Sequence, residues 1–221
     1  MMELHSILLF IHIILMGYWL GGDLGVYLAA NRVADPTLPI DERLRFLHLA
    51  MKLDMGPRTA LIMILPTGFH MASNFGLVSL TPLFLSLIWI GSLIWLALCW
   101  AVFLYENIAL GDIFRKIDLS VRYVMLVVIF AISVWSITSE NSYFDLWLSL
   151  KLFCFSIIIA LGITLRIVVS KWVIGFKLLR DGSTEDANEI ILSARKKAKP
   201  QALSIWALVF ICGFLGATKL I

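Results

Sequence analysis

Long apolar stretches separated by short polar intervals occupy nearly the whole chain. A helix needs about 20 predominantly apolar residues to cross the hydrocarbon core of a bilayer. Six such stretches occur, at about 4–30, 56–74, 80–105, 120–139, 147–175 and 201–219. Lipid offers no partner to an exposed peptide group, so each stretch reads as an α-helix. The expected fold is therefore an all-α integral membrane protein, one six-transmembrane helix bundle spanning residues 1–221. The first stretch carries Glu3 rather than lysine or arginine near its start and exceeds the apolar core of a secretory leader. It reads as the first membrane helix.

Two polar intervals carry a helical period of their own. In DERLRFLHLAMKLD, residues 41–54, Leu44, Leu47 and Met51 fall on one stripe. Segment 183–199 opens with Ser183 and Asp186 at capping-box spacing and closes with Arg195, Lys196, Lys197 and Lys199 before Pro200. Both are expected to lie on the membrane surface, where anionic lipid attracts lysine.

The distribution of charge then orients the bundle. Interval 31–55 holds Arg32, Arg43, Arg45 and Lys52; interval 106–119 holds Arg115 and Lys116; interval 176–200 holds Lys177, Arg180 and the basic cluster. Interval 75–79 has no charge, and 140–146 has only Glu140 and Asp145. The positive-inside rule puts the basic intervals in the cytoplasm and both termini on the outer side. Composition agrees: 61% of the residues are hydrophobic and 15% charged, where a soluble domain is about half apolar and a quarter charged. A multi-pass protein of the cell inner membrane is expected, surrounded by lipid and forming an oligomer or part of a larger complex. Nothing beyond the basic intervals supports nucleic-acid binding. Cys99, Cys154 and Cys212 all sit in apolar runs without CxxC spacing, so neither a disulfide nor a zinc site is expected.

Ionisable residues inside spanning helices usually face the bundle interior and mark a pathway or a cofactor. Here they are His5, His12, Asp23, Arg58, His70, Lys151 and Arg166. His12 lies about 12 Å below the outer end of the first span, and His70 about 6 Å from the outer end of the second. Two imidazoles at comparable depth on adjacent helices suit the axial positions of a haem b iron. Lys151 is placed to meet a propionate, and Trp19 to pack on the macrocycle edge. Gly17, Gly21 and Gly25, with Gly22 and Gly68, leave room for a porphyrin or simply let two helices touch. Pro66 is expected to kink the second span and re-aim His70. Asp23 is expected to pair with Arg58 or Arg166, and His48 to lie on the opposite surface. Copper is the competing chemistry, through His12 and His70 with His5, Met16 and Met71 in reach. A non-catalytic anchor or assembly subunit is the third reading.

Several of these residues resemble known families. His12, Trp19 seven residues on and Gly22 three beyond resemble the first helix of the bacterial membrane-bound, haem-containing protoporphyrinogen oxidases. WLGG, Trp19 to Gly22, is also similar to the opening of copper-resistance protein D domains. WLSLKLFCFSIIIALGITLR, residues 147–166, shares with both families a Lys-Leu start and a basic residue near the far end of the helix. Met55 to Pro57 is a looser match. The resemblance implies a helical membrane bundle, His12 as a haem ligand and Lys151 as a functionally required cation. The chain departs from the oxidases in having six apparent spans instead of about four, and in placing Asp23 and Leu28 where an arginine is usual. The function expected is electron transfer or redox chemistry at a membrane haem, with quinone or a partner subunit as the electron partner.

Overall fold

The computed structural model describes residues 2–106, 108–139 and 144–219; Glu140 lies outside them. Among the described residues there are six α-helices and no strand: α1 (Met2–Val33), α2 (Ile40–Asn74), α3 (Pro82–Leu104), α4 (Ala109–Thr138), α5 (Leu146–Arg180) and α6 (Thr184–Thr218). Each packs on the next in sequence, and α1 also meets α6, so the bundle closes on itself. The most extensive contacts are those of α1 with α2 and of α5 with α6.

Five of the six, all but α2, are long and apolar enough to cross a membrane. Their outward faces carry bare aliphatic and aromatic side chains, among them Phe10, Leu83, Ile94, Val127, Val173 and Phe210. Apolar surface on that scale suits lipid and not water. Helix α2 is equally long, but Pro57, Arg58, Pro66 and His70 dilute its apolarity. His70 accepts from Trp89 of α3, and Arg58 pairs with Asp54 on α2 itself.

The helix boundaries differ from expectation. Segments 41–54 and 56–74 are one helix, α2, running through Pro57 and Pro66. Segments 183–199 and 201–219 merge likewise into α6, through Pro200. The intervening residues are therefore extensions of long helices, not separate surface pieces. Proline inside a spanning helix is tolerated when neighbours take up the backbone group it frees. Pro57 deprives the Leu53 carbonyl of its partner, and Gly22 of α1 lies against that same carbonyl. A Cβ on Gly22 would sit 3.4 Å from Leu53 O and 2.6 Å from Pro57 Cδ. Gly22 is thus the residue that lets α1 reach the break.

Ser183 forms no side-chain cap. Its backbone N–H is already committed to Leu178 O at 3.0 Å, while Gly182 turns with φ +91°. That pair closes the end of α5 as a Schellman motif, and α6 starts immediately after. Helix α4 begins at Ala109, so Arg115, Lys116 and Asp118 are helical and not in a loop.

Two apolar cores result. The larger gathers Trp19, Ile62, Leu65, Trp95, Ile158, Ile159 and Val209 along the spans. The smaller lies at the basic end, where α1, α2, α5 and α6 continue past it: Val33, Trp172, Phe176, Ile191 and Ala194, with Leu44 and Leu47 packed on them. Arg43 is 2% exposed there, its Nε donating to Val33 O at 2.9 Å and its Nη1 to Asn188 Oδ1 at 2.8 Å. Arg195 donates to Asn31 Oδ1 at 2.6 Å and stacks over Tyr27. These two arginines brace the extension, so they are not lipid-facing charges.

Candidate functional site

At about 100° per residue, His5, His12, Met16, Trp19 and Asp23 fall within an arc of roughly 60° on α1. That face turns inward. The His12 ring lies over Gly68 of α2, its Cε1 3.3 Å from where a Cβ on that glycine would be. A side chain at 68 would press on the Cε1–Nδ1 edge of the imidazole, and glycine leaves that space to the ring.

The hydrogen bonds around His12 fix its tautomer. Thr67 Oγ1 lies 3.0 Å from Met63 O and 3.1 Å from Ile64 O. Its single proton is spent on those carbonyls, as is common for threonine inside a helix. With that proton on the carbonyls, the hydroxyl accepts from His12 Nδ1, 3.0 Å away, in the tautomer that carries its proton there. His12 carries its proton on Nδ1, and Nε2 keeps a free lone pair. Metal-binding histidines are normally held this way, by a hydrogen bond from the nitrogen that does not bind.

Lys151 of α5 is close enough for its charge to act on His12. Among the described residues it has no carboxylate partner. Its Nζ lies 2.9 Å from where a Cβ on Gly216 of α6 would be. Gly213, one turn earlier, stands in the same relation to Met16 Sδ, at 3.0 Å. Cys212 Sγ donates to Lys151 O at 3.7 Å. Helices α1, α2, α5 and α6 thus converge on His12 and Lys151, and small residues on α2 and α6 make the room.

His70 is held differently. The Trp89 indole of α3 donates to His70 Nδ1 at 3.3 Å, with the rings edge to face. A neutral imidazole that accepts at Nδ1 has its proton on Nε2, the opposite tautomer to His12. The two histidines expected to share one iron are engaged by different helices, and His70 has neither nitrogen free while Trp89 holds it. His5 packs edge to face on Phe75, centroids 4.0 Å apart, and its buried Nδ1 has no hydrogen-bond partner among the described residues. His48 is exposed on α2.

Of the remaining expected site residues, Trp19 and Gly22 serve packing and Gly21 does not. Trp19 is 3% exposed and meets Phe155 of α5 edge to face at 6.4 Å. Gly22 serves the approach of α1 to Pro57. Gly17 and Gly21 have nothing within 4 Å of a would-be Cβ, and they project about 140° and 180° away from His12. They line a separate lateral cavity of about 490 Å³ with Tyr18, Lys52, Gly56, Thr59 and Trp100.

Asp23 pairs with neither expected arginine. It faces the indoles of Trp19 and Trp206, with Asp54 the neighbouring carboxylate. Arg58 pairs with Asp54 one turn earlier on α2. Arg166 Nη1 reaches Asp118 Oδ2 at 2.9 Å. Asp118 is fully buried and also takes Arg122 Nε at 2.9 Å and Trp95 Nε1 at 3.1 Å. This carboxylate joins α3, α4 and α5. Sequence reading missed it because residue 118 was assigned to a loop; the i,i+4 spacing of Asp118 and Arg122 was the available signal.

Among the described residues no three histidine, cysteine, aspartate or glutamate side chains converge to hold a bare metal ion. The chemistry assembled is one oriented imidazole with a free lone pair and one unpaired ammonium, in an otherwise apolar core. Compared with known proteins, the chain matches no protein-family model, no curated protein and no solved structure.

Proposed function

We propose that this chain is a six-span membrane protein that binds one haem b through His12 and serves electron transfer or redox chemistry. The observation that carries the reading is the 3.0 Å contact of His12 Nδ1 with Thr67 Oγ1, which leaves Nε2 for a ligand, near Lys151, which has no carboxylate partner among the described residues. A porphyrin brings four equatorial nitrogens of its own, so a single protein ligand suffices where no bare-ion site is assembled. Lys151 is the cation available to a propionate. The haem, when bound, supplies one-electron chemistry; the chain supplies the ligand, the counter-charge and an apolar wall. His70 joins as a second axial ligand only if Trp89 releases its Nδ1. Porphyrinogen oxidation, suggested by the resemblance of helices α1 and α5, is one form of this chemistry. Quinone or a partner subunit is the electron partner.

In the bilayer α2 becomes the sixth crossing, because Arg58 is paired with Asp54 on the same helix and Trp89 of α3 satisfies His70. The basic end faces the cytoplasm and both termini face outward. The inner membrane of the cell is the location proposed.

The test is the cofactor content of protein purified from cells supplied with iron and copper. Iron extracted as protohaem at about one per chain, with no copper, is the result expected. Copper without iron selects the copper-handling reading. A folded protein with neither, whose partner association falls in His12→Ala, selects the anchor reading.

A further inference from the structure

Cys154 and Cys212 belong to no part of the proposed haem site, yet they are placed together. Cys154 lies eight residues into α5 and Cys212 six residues before the end of α6, about 12 Å and 9 Å from the same end of the bundle. Cys212 Sγ lies 3.7 Å from Lys151 O, on the same turn of α5 that carries Cys154 three residues on. The Cys212 thiol thus faces the turn of α5 that carries Cys154. Both are only partly buried and both are free. Cys99 serves as an internal contrast: it is 1% exposed on α3, and Arg122 Nη2 lies 4.0 Å from its sulfur. Thiol–disulfide chemistry runs through the thiolate, and the Lys151 ammonium, without a carboxylate of its own, is the cation beside the pair.

We infer that Cys154 and Cys212 form a redox-active dithiol that closes to a disulfide between α5 and α6 and reduces a quinone. The step balances: two S–H bonds break and one S–S bond forms. The two electrons and two protons pass to the quinone, which leaves as quinol. The inference rests on the proposed function for its quinone, and neither thiol is offered as an iron ligand.

The experiment uses the full chain, reduced, freed of reductant and held in lipid nanodiscs under argon, with a short-chain ubiquinone analogue as probe. After denaturation, free thiols are counted by maleimide mass tagging and mapped by mass spectrometry. Wild type is expected to go from three tags to one, left on Cys99, with one quinol formed per chain. Cys154→Ser and Cys212→Ser should each keep both remaining tags and form no quinol, while Cys99→Ser goes from two tags to none. Three tags surviving in wild type, or a disulfide that uses Cys99 or joins two chains, overturns the inference. Wild-type tag mapping decides the matter alone if a serine variant fails to fold.

Discussion

At Thr67 one hydroxyl serves three neighbours, giving its proton to the helix and its lone pair to His12. Thr67→Val keeps the shape and removes both. Loss of such a second partner typically weakens metal binding about 10–100-fold; the same loss is expected for haem here, measured by haem transfer to an apo-globin acceptor. Thr67→Ser should restore most of it. A residue without ligand contact gives a different expectation. Asp118→Asn leaves Arg122 and Arg166 buried beside a neutral amide, and breaking such a buried pair costs about 3–5 kcal/mol. That should appear as a lowered unfolding midpoint in detergent with the haem absorbance of the folded fraction unchanged. His12 and Lys151 were legible in the sequence, because an imidazole or ammonium among apolar residues stands out against its neighbours. Their partners were not: Thr67, Gly68 and Trp89 are ordinary residues of membrane helices, and only packing shows that they select the tautomers. Asp118 stayed hidden because a carboxylate at the edge of an apolar run looks like a loop residue.

Between elements, the contrast of Gly21 and Gly22 separates two uses of a small residue. A Cβ at 22 would meet Pro57 Cδ at 2.6 Å, whereas one at 21 meets nothing. Gly22→Ala should cost about 1–3 kcal/mol through overpacking of the α1–α2 contact. Gly21→Ala should leave the unfolding midpoint unchanged or raise it, in the same denaturation series. The existence of the helices followed from hydropathy, but their ends did not. Pro57 and Pro200 look like breakers by the rules of water-soluble helices, and only the neighbouring helix shows that the broken ladder is covered. Polar segments 41–54 and 183–199 read as surface pieces for the same reason. Of the stripe on 41–54, Leu44 and Leu47 pack on the core of Val33, Trp172, Phe176 and Ile191, while Met51 is exposed.

For the molecule as a whole, the helices form a closed ring whose basic end continues as a small packed unit held by Arg43 and Arg195. Burial pushes the Arg43 guanidinium below its ordinary range, opposed by the Asp35 carboxylate. Asp35 itself is held below the usual carboxylate value, chiefly by the Thr37 hydroxyl at 2.6 Å and then by the Thr37 N–H at 3.0 Å. A carboxyl depressed on folding stabilises above its unfolded value of 3.8 and loses that contribution as pH falls through its lower folded value. Asp35→Asn should therefore lower stability slightly at neutral pH and flatten the acid limb below pH about 4, so that mutant and wild type converge in acid, in pH-dependent melting curves. The account of function rests on His12 being the residue that holds a haem in this ring. The most direct measurement is the reduced-minus-oxidised spectrum of wild type beside His12→Ala and His70→Ala, each checked for folding by its melting curve. The account predicts a Soret and α band in wild type and in His70→Ala, and their loss in His12→Ala. A folded wild type without pigment, or a pigment that survives in His12→Ala, contradicts it.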